Sequence, residues 1–196
     1  MSGEQRRQQL LDVARTLFAE RGFQATSVEE IANRASVSKP VVYEHFGGKE
    51  GMYAVVVDRE MRGLLRSMVT ALGVDAHPKE LVERAAGALL TYVDECPDGF
   101  RILVRDSPVV SSTGTFSSLL NDIASQVEHV LAVHFARQGY DPKLAPLYAQ
   151  ALVGMVALTG QWWLDVRKPQ QAEVAAHLVN LAWNGLSRLE PDPGPR

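Results

Sequence analysis

Cysteine is nearly missing from this chain: Cys96 is the only one among 196 residues. It has no partner for an internal disulfide, so a reducing compartment fits. The opening MSGEQRRQQL holds no apolar run before a cleavage site. No signal peptide is expected, and the cytoplasm is the expected location. A surplus of one charge is lacking too. The net charge is −3 and the pI about 6.0, which on totals alone does not suggest a nucleic-acid binder. Metal and nucleotide motifs are missing. His45, His77, His129, His134 and His177 have no ligand spacing; 129 and 134 are five apart and no HExxH occurs. With no Gly-rich phosphate loop and no nucleophile elbow, neither an enzyme, a metal nor a cofactor is expected. One long uncharged run exists, the 21 residues from Leu144 to Leu164. It holds Pro146, Gln150, Thr159 and Gln161, and no second such run exists. It reads as a helix buried between protein surfaces rather than a membrane span.

What is there is helical throughout. Hydrophobic residues make up 46% of the chain, enough for a sizeable core. Leu10, Leu11, Ala14, Leu17 and Phe18 recur at helical spacing, and Gly22 ends that helix. Ser27 and Glu30 predict a capping box at the start of a second helix, whose apolar stripe is Val28, Ile31, Ala32 and Ala35. Ser36-Val37 is a turn, and Ser38 caps a third helix that tolerates Pro40 in its first turn. Gly47-Gly48 breaks the chain before a long fourth helix from Lys49 towards Leu65. Further helices are expected from Pro78 to Glu95, Phe100 to Asp106, Phe116 to Arg137, after Asp141 through the uncharged run, and from Gln171 to Leu189. Cys96-Pro97-Asp98-Gly99 reads as a turn, Val109 to Thr115 as a mobile loop and PDPGPR as a disordered tail. No stretch reads as a sheet, so the expected class is all-α.

The stretch SVEEIANRASVSKPVVYEHFGGKEGMY carries the sharpest chemistry. A recognition helix enters the major groove with its N-terminal residues at base edges. Ser38 and Lys39 stand there: Lys39 reaches a guanine edge or a phosphate, and Ser38 a phosphate. Val41 offers apolar contact to a thymine methyl, and Tyr43 and His45 flank the groove. Thr26 and Ser27 supply a hydroxyl and free N–H groups at a helix start, and Lys49 repeats this at the fourth helix. Each residue also has a plain reading, as cap, packing or solvated charge. Charge supports a division of labour: residues 1–66 hold 10 Lys/Arg against 9 Asp/Glu, and residues 67–196 hold 10 against 14.

Together, TSVEEIANRASVSKPVVYEHFGGKEGMY and the preceding LLDVARTLFAERGFQATS resemble the N-terminal domain of TetR-family transcriptional regulators, over roughly Glu4 to Asp58. The resemblance implies an N-terminal three-helix DNA-binding domain with a helix-turn-helix, residues 4–64 with the motif at 27–46. A C-terminal helical ligand-binding and dimerisation domain, 65–190, and a tail, 191–196, follow. It places Thr26, Ser27, Ser38, Lys39, Pro40, Val41, Tyr43, His45 and Lys49 where such proteins touch DNA. Two positions depart from the pattern. Ser36 stands where Gly is usual, which strains the turn by about 1 kcal/mol at most if it goes left-handed. Val41 stands where polar side chains are frequent.

One recognition helix has a small footprint, so a homodimer reading a palindromic operator in double-stranded DNA is expected. The last two helices are the expected interface. Val174, Leu178, Leu181, Ala182, Gly185, Leu186 and Leu189 form a stripe, and Gly154 and Gly160 permit close approach. The alternative is that both helices pack inside one subunit. Tyr92, Phe100, Phe116, Tyr148, Trp162 and Trp163, with Leu103, Leu120, Met155 and Thr159, suit a pocket for a small hydrophobic effector, and equally suit a core. Adjacent Trp162 and Trp163 point about 100° apart, so one faces a pocket and the other a partner. From about Leu152 through WWLDVRKP to AWNGLSRL the chain is also similar to actinobacterial TetR-type regulators of fatty-acid synthesis, which respond to long acyl-coenzyme A. The implied function is a ligand-responsive repressor that releases its operator; an activator or a constitutive DNA-binding regulator is the alternative.

Overall fold

In a computed structural model, residues 1–105 and 116–189 are described. The expected loop at 109–115 and the PDPGPR tail lie outside them. Every regular element among the described residues is helical: α1 Gly3–Ala25, α2 Val28–Arg34, α3 Lys39–Phe46, α4 Lys49–Leu72, α5 Pro78–Glu95, α6 Pro97–Val104, α7 Phe116–Gln138, α8 Ala145–Val166 and α9 Gln171–Leu186. A 3-10 turn at Pro142–Leu144 precedes α8, capped by Asp141, whose side chain accepts from the Lys143 N–H. The chain falls into two compact units. The first is Met1–Gly63 with Cys96–Phe116; the second is Leu64–Glu95 with Ser117–Arg196. α4 runs unbroken from the first into the second.

The core of the first unit follows the sequence pattern. Leu10, Ala14, Leu17, Ile31, Val42, Met52 and Val56 are wholly buried. Phe18 stands edge-on to Tyr53 at 4.9 Å, and Phe23 meets the same ring at 5.0 Å. α1 loses helical geometry at Gly22, as expected. The expected capping box at Ser27 is half made. Ser27 Oγ accepts from the Glu30 N–H at 3.2 Å, but the Glu30 carboxylate pairs with Arg21 instead. A complete box stands at Ser2 and Gln5, opening α1. α6 begins three residues earlier than expected, at Pro97, because proline suits the first helical turn. It packs against α1, where Arg105 Nη1 donates to the Ala19 carbonyl at 2.8 Å.

One buried carboxylate and one glycine hold α4 within this unit. Glu60 is 5% exposed; Arg59 Nε donates to it at 3.1 Å and Arg15 Nη1 lies 3.8 Å away. Arg59 also binds Asp12 of α1 at 2.9 Å. At the start of α4 Gly51 lies against the Phe46 carbonyl, and a Cβ there would collide with that oxygen.

In the second unit α9 lies along α5 and α8 packs on both. Gly160 permits the close approach of α8 to α5: a Cβ there would meet Leu89 at 3.4 Å. Arg167 ties the end of α8 to Asp94 at 2.8 Å, and its guanidinium lies over the Trp163 ring. Val174, Leu178, Ala182 and Leu186 are buried within the subunit, so most of the α9 stripe expected at a dimer interface packs internally. Leu181, 65% exposed, and Gly185 face outward, and Leu189 is half-buried. No helix among the described residues is long and apolar enough to cross a membrane.

Candidate DNA-reading surface and effector cavity

α2 and α3 meet through Ile31, Ala32, Val42 and Phe46, all buried, and this leaves the other side of α3 outward. The turn between them puts Ser36 at φ 55°, the left-handed geometry for which glycine is usual. Ser38 is the N-cap of α3, yet its side chain makes no capping bond, so its hydroxyl is left for an outside acceptor. Lys39 and Pro40 are exposed, Val41 and His45 half-buried, and Tyr43 is 54% exposed. Lys39 Nζ pairs with Glu29 of α2 at 2.8 Å. Gly47 closes α3 in the left-handed conformation, its N–H bonded to the Tyr43 carbonyl. The Tyr43 ring packs over Gly48, which aims the phenol outward.

Ser27, Lys39, Tyr43 and Lys49 share one open depression, rimmed by Gln24, Glu29, Gly48 and Glu50. Two residues expected at DNA are tied inward. Thr26 is 1% exposed, and its hydroxyl donates to the Gly22 carbonyl at 2.8 Å and to that of Leu17 at 3.3 Å. Its side chain closes the end of α1 rather than facing solvent. Lys49 Nζ donates to the Phe23 carbonyl at 3.1 Å and lies over the Phe23 ring at 4.3 Å. It must leave both to reach a phosphate.

The effector site differs more from its expectation. An apolar cavity lies in the second unit, among the end of α4 (Met68, Leu72), α5 (Leu81, Ala86, Leu89), α7, α8 and α9. Its volume is ≈ 70 Å³. Of the ten residues expected at a pocket only Leu120 lines it. Phe100 and Leu103 are buried in the first unit, where Phe100 meets Phe116 at 5.8 Å. Tyr148 packs on Phe135 at 5.4 Å, and Tyr92 is buried. Met155 and Thr159 are half-buried away from the cavity. Trp163 is 3% exposed and its indole donates to the Pro169 carbonyl at 2.8 Å; Trp162 is 52% exposed. The adjacent pair therefore splits into one core ring and one surface ring, and neither faces the cavity.

The lining that sequence reasoning missed is aliphatic, with polar ring atoms only on His134 and Trp183. Trp183 stands between two imidazoles, 5.2 Å from His77 and 6.3 Å from His134. Burial pushes the His134 imidazole below its usual range, helped by the charges of His77 and Arg137. Among the described residues no group of His, Cys, Asp or Glu could hold a metal ion.

A second outward feature lies on α8. Leu147, Leu158, Trp162 and Val166 are all about half exposed or more, at 64%, 68%, 52% and 47%. Their spacings of eleven, four and four residues put them on one face. Gly154, with nothing within 4 Å of a Cβ, interrupts no packing inside the subunit.

Comparison with known proteins agrees with this arrangement. The family profile described as bacterial regulatory proteins, tetR family, matches residues 10–56. A tetracyclin repressor-like C-terminal domain profile matches residues 78–185. The HTH-type transcriptional activator FasR of Mycolicibacterium smegmatis is 28% identical over 187 residues, 95% of this chain and 85% of that protein. The HTH-type transcriptional repressor KstR2 of Rhodococcus jostii is 36% identical over 105 residues, 46% of this chain and 50% of that protein. Among solved structures, a TetR-like transcriptional regulator from Rhodococcus sp. RHA1 superposes with TM-score 0.78 and 28% identity, over 93% of this chain and 96% of that one.

Proposed function

Since the chain belongs to the TetR family of bacterial transcriptional regulators, we propose that it is a cytoplasmic homodimeric repressor that leaves a palindromic operator when a small hydrophobic molecule fills its apolar cavity. Residues 4–64 are the DNA-binding domain in this reading, and 65–190 bind the effector and the partner subunit. The observation that carries it is the outward start of α3. There Ser38 has an unused hydroxyl, and Lys39 and Tyr43 stand in solvent on a helix anchored by Val42 and Phe46. Ser27, Pro40, Val41 and His45 complete the reading surface. Thr26 contributes there only through its backbone.

The dimer face in this proposal is the α8 stripe with Leu181, continuing the expectation that the last two helices pair. An exposed apolar row of this kind needs cover in water. Two-fold pairing lets both reading heads dock at once, and the second docking is then intramolecular. The effector is proposed to act through α4, whose Met68 and Leu72 form part of the cavity wall. Ligand pockets usually hold ~300–1,000 Å³, so an effector of ordinary size must push this narrow cavity open. Moving that wall alters the separation of the two heads and releases DNA.

A second reading has its own support. The relative that spans 95% of this chain is named an activator, and the partial one a repressor. The same DNA and effector sites serve either sign.

Selection of bound duplex from a random pool tests the core of the proposal. It should return a palindrome with half-sites about 34–36 Å, or a multiple, apart. Binding should weaken steeply with salt, and Lys39→Ala should weaken it about tenfold or more. A thermal-shift screen with acyl-coenzyme A and lipophilic compounds should give hits that also lower operator affinity. If no compound that enters the cavity changes operator binding, the regulator is constitutive.

A further inference from the structure

Lys39 is the one lysine or arginine on α3, so it carries the only permanent positive charge of the recognition helix. In the free protein that charge is already answered. Its ammonium binds Glu29 Oε2 at 2.8 Å, although both side chains stand in solvent, 52% and 63% exposed. The hydrogen bond to Lys39 and its charge hold the Glu29 carboxyl below the usual carboxylate range, so Glu29 is ionised wherever the protein works. The neighbouring cations are held in the same way. Arg21 pairs with Glu30, Arg34 with Glu20 at 3.3 Å, and Lys49 donates to the Phe23 carbonyl. Glu29 and Lys39 both border the depression that holds Ser27 and Tyr43, so the carboxylate sits where an acceptor on DNA would come.

We propose that Glu29 is an internal competitor for DNA: its carboxylate occupies Lys39 in the free protein, must be displaced on docking, and so sets the affinity and the salt response of the reading head. The inference rests on the reading that Lys39 touches DNA. The physics is an exchange. A carboxylate oxygen and a phosphate or guanine oxygen accept the same ammonium hydrogens. Docking breaks one pair to make another and leaves a carboxylate beside the polyanion. Salt weakens the internal pair as well as the DNA contact, so part of the usual salt penalty cancels. Wild-type protein then shows a shallower salt dependence than its number of phosphate contacts implies.

Glu29→Gln keeps the shape and the position at the start of α2 while removing the charge. The test uses full-length protein, a palindromic duplex recovered by selection and a random duplex of equal length. It compares wild type, Glu29→Gln, Lys39→Ala and the double variant across a salt series, with helicity checked by circular dichroism. The expected result is that Glu29→Gln tightens binding to both duplexes by about two- to fivefold per reading head. It should also steepen the slope of log affinity against log salt by up to roughly 1 per head. In the Lys39→Ala background the same change should do much less, because its route is gone. The competition is overturned if Glu29→Gln weakens binding, which would make Glu29 an orienting partner of Lys39. It is overturned equally if the gain is as large without Lys39, which would mean plain repulsion between carboxylate and DNA. A distinct failure is that Lys39→Ala leaves affinity and slope unchanged; then Lys39 does not touch DNA, and the underlying reading falls with the inference.

Discussion

The two units treat their large side chains in opposite ways, and the contrast shows where function becomes visible. In the first unit the rings of Phe18, Phe23 and Tyr53 form one interlocked cluster. With the interior filled, Tyr43 is left 54% exposed on the recognition helix. In the second unit rings fill the gaps between helices: Phe135 meets both Tyr140 and Tyr148, and Trp163 is sealed under Arg167. The space that remains is bounded mostly by Ala85, Ala86, Ala157, Val153 and leucines, with Trp183 and His134 as its only aromatic rings among the described residues. Most rings of this unit fill gaps, and the cavity is left chiefly among small aliphatic side chains.

The largest effect should come from the second unit's outer face. Leu158→Glu with Trp162→Glu charges the proposed dimer stripe. Sedimentation should show a monomer, and operator affinity should fall by about a hundredfold or more, through loss of two-site docking. A dimer that survives the double change would place the interface elsewhere. Next is the cavity. Val153→Trp should fill it at a cost of about 1–3 kcal/mol in stability. Operator binding should persist while the thermal shift and DNA release by effector vanish. If release survives, the effector uses a different site, and the contrast between ring and aliphatic walls loses its functional meaning.

A smaller effect tests the first unit. Thr26→Val keeps the shape of a buried side chain and removes its hydrogen bonds to the Gly22 and Leu17 carbonyls. Urea unfolding should show a loss of about 1 kcal/mol, with operator affinity unchanged. A large loss of affinity at constant stability would return Thr26 to the DNA surface.

The smallest effect is a pH response in the second unit. The folded protein holds His134 below its usual range while the unfolded chain does not. As pH falls through the ordinary histidine value, the unfolded state therefore takes up more protons and stability declines. His134→Leu should flatten that decline between about pH 7.5 and about pH 5.5, read as the change in Tm. An unchanged slope would mean that this imidazole is no more buried than an open one.

These contrasts explain what was legible in the chain. The reading head is local: helix period, caps and breakers from Ser27 to Tyr53 are enough to say which side of α3 faces out. Ser36 was readable as a strained turn because a single φ angle decides it, and it is found at 55°. The inward bonds of Thr26 to the Gly22 carbonyl and of Lys49 to the Phe23 carbonyl were not legible, because they depend on how the end of α1 folds back on these side chains. The cavity is assembled from five helices, each lending a few residues, and a cavity wall has the same composition as a core. Of the residues expected at a pocket, Leu120 alone lines this cavity. The α9 stripe carried a similar ambiguity: its period was right, but α5, 80 to 100 residues earlier in the chain, covers most of it.

The meeting of Gly51 with the Phe46 carbonyl has a mechanical consequence. No side chain fits between the end of α3 and the start of α4, and only Gly47 and Gly48 lie between those helices. Such an elbow has no slack. A rotation of the first turn of α4 therefore presses directly on the end of the recognition helix. Gly51→Ala would wedge that elbow open, and its damage should appear as lost transmission as well as lost stability.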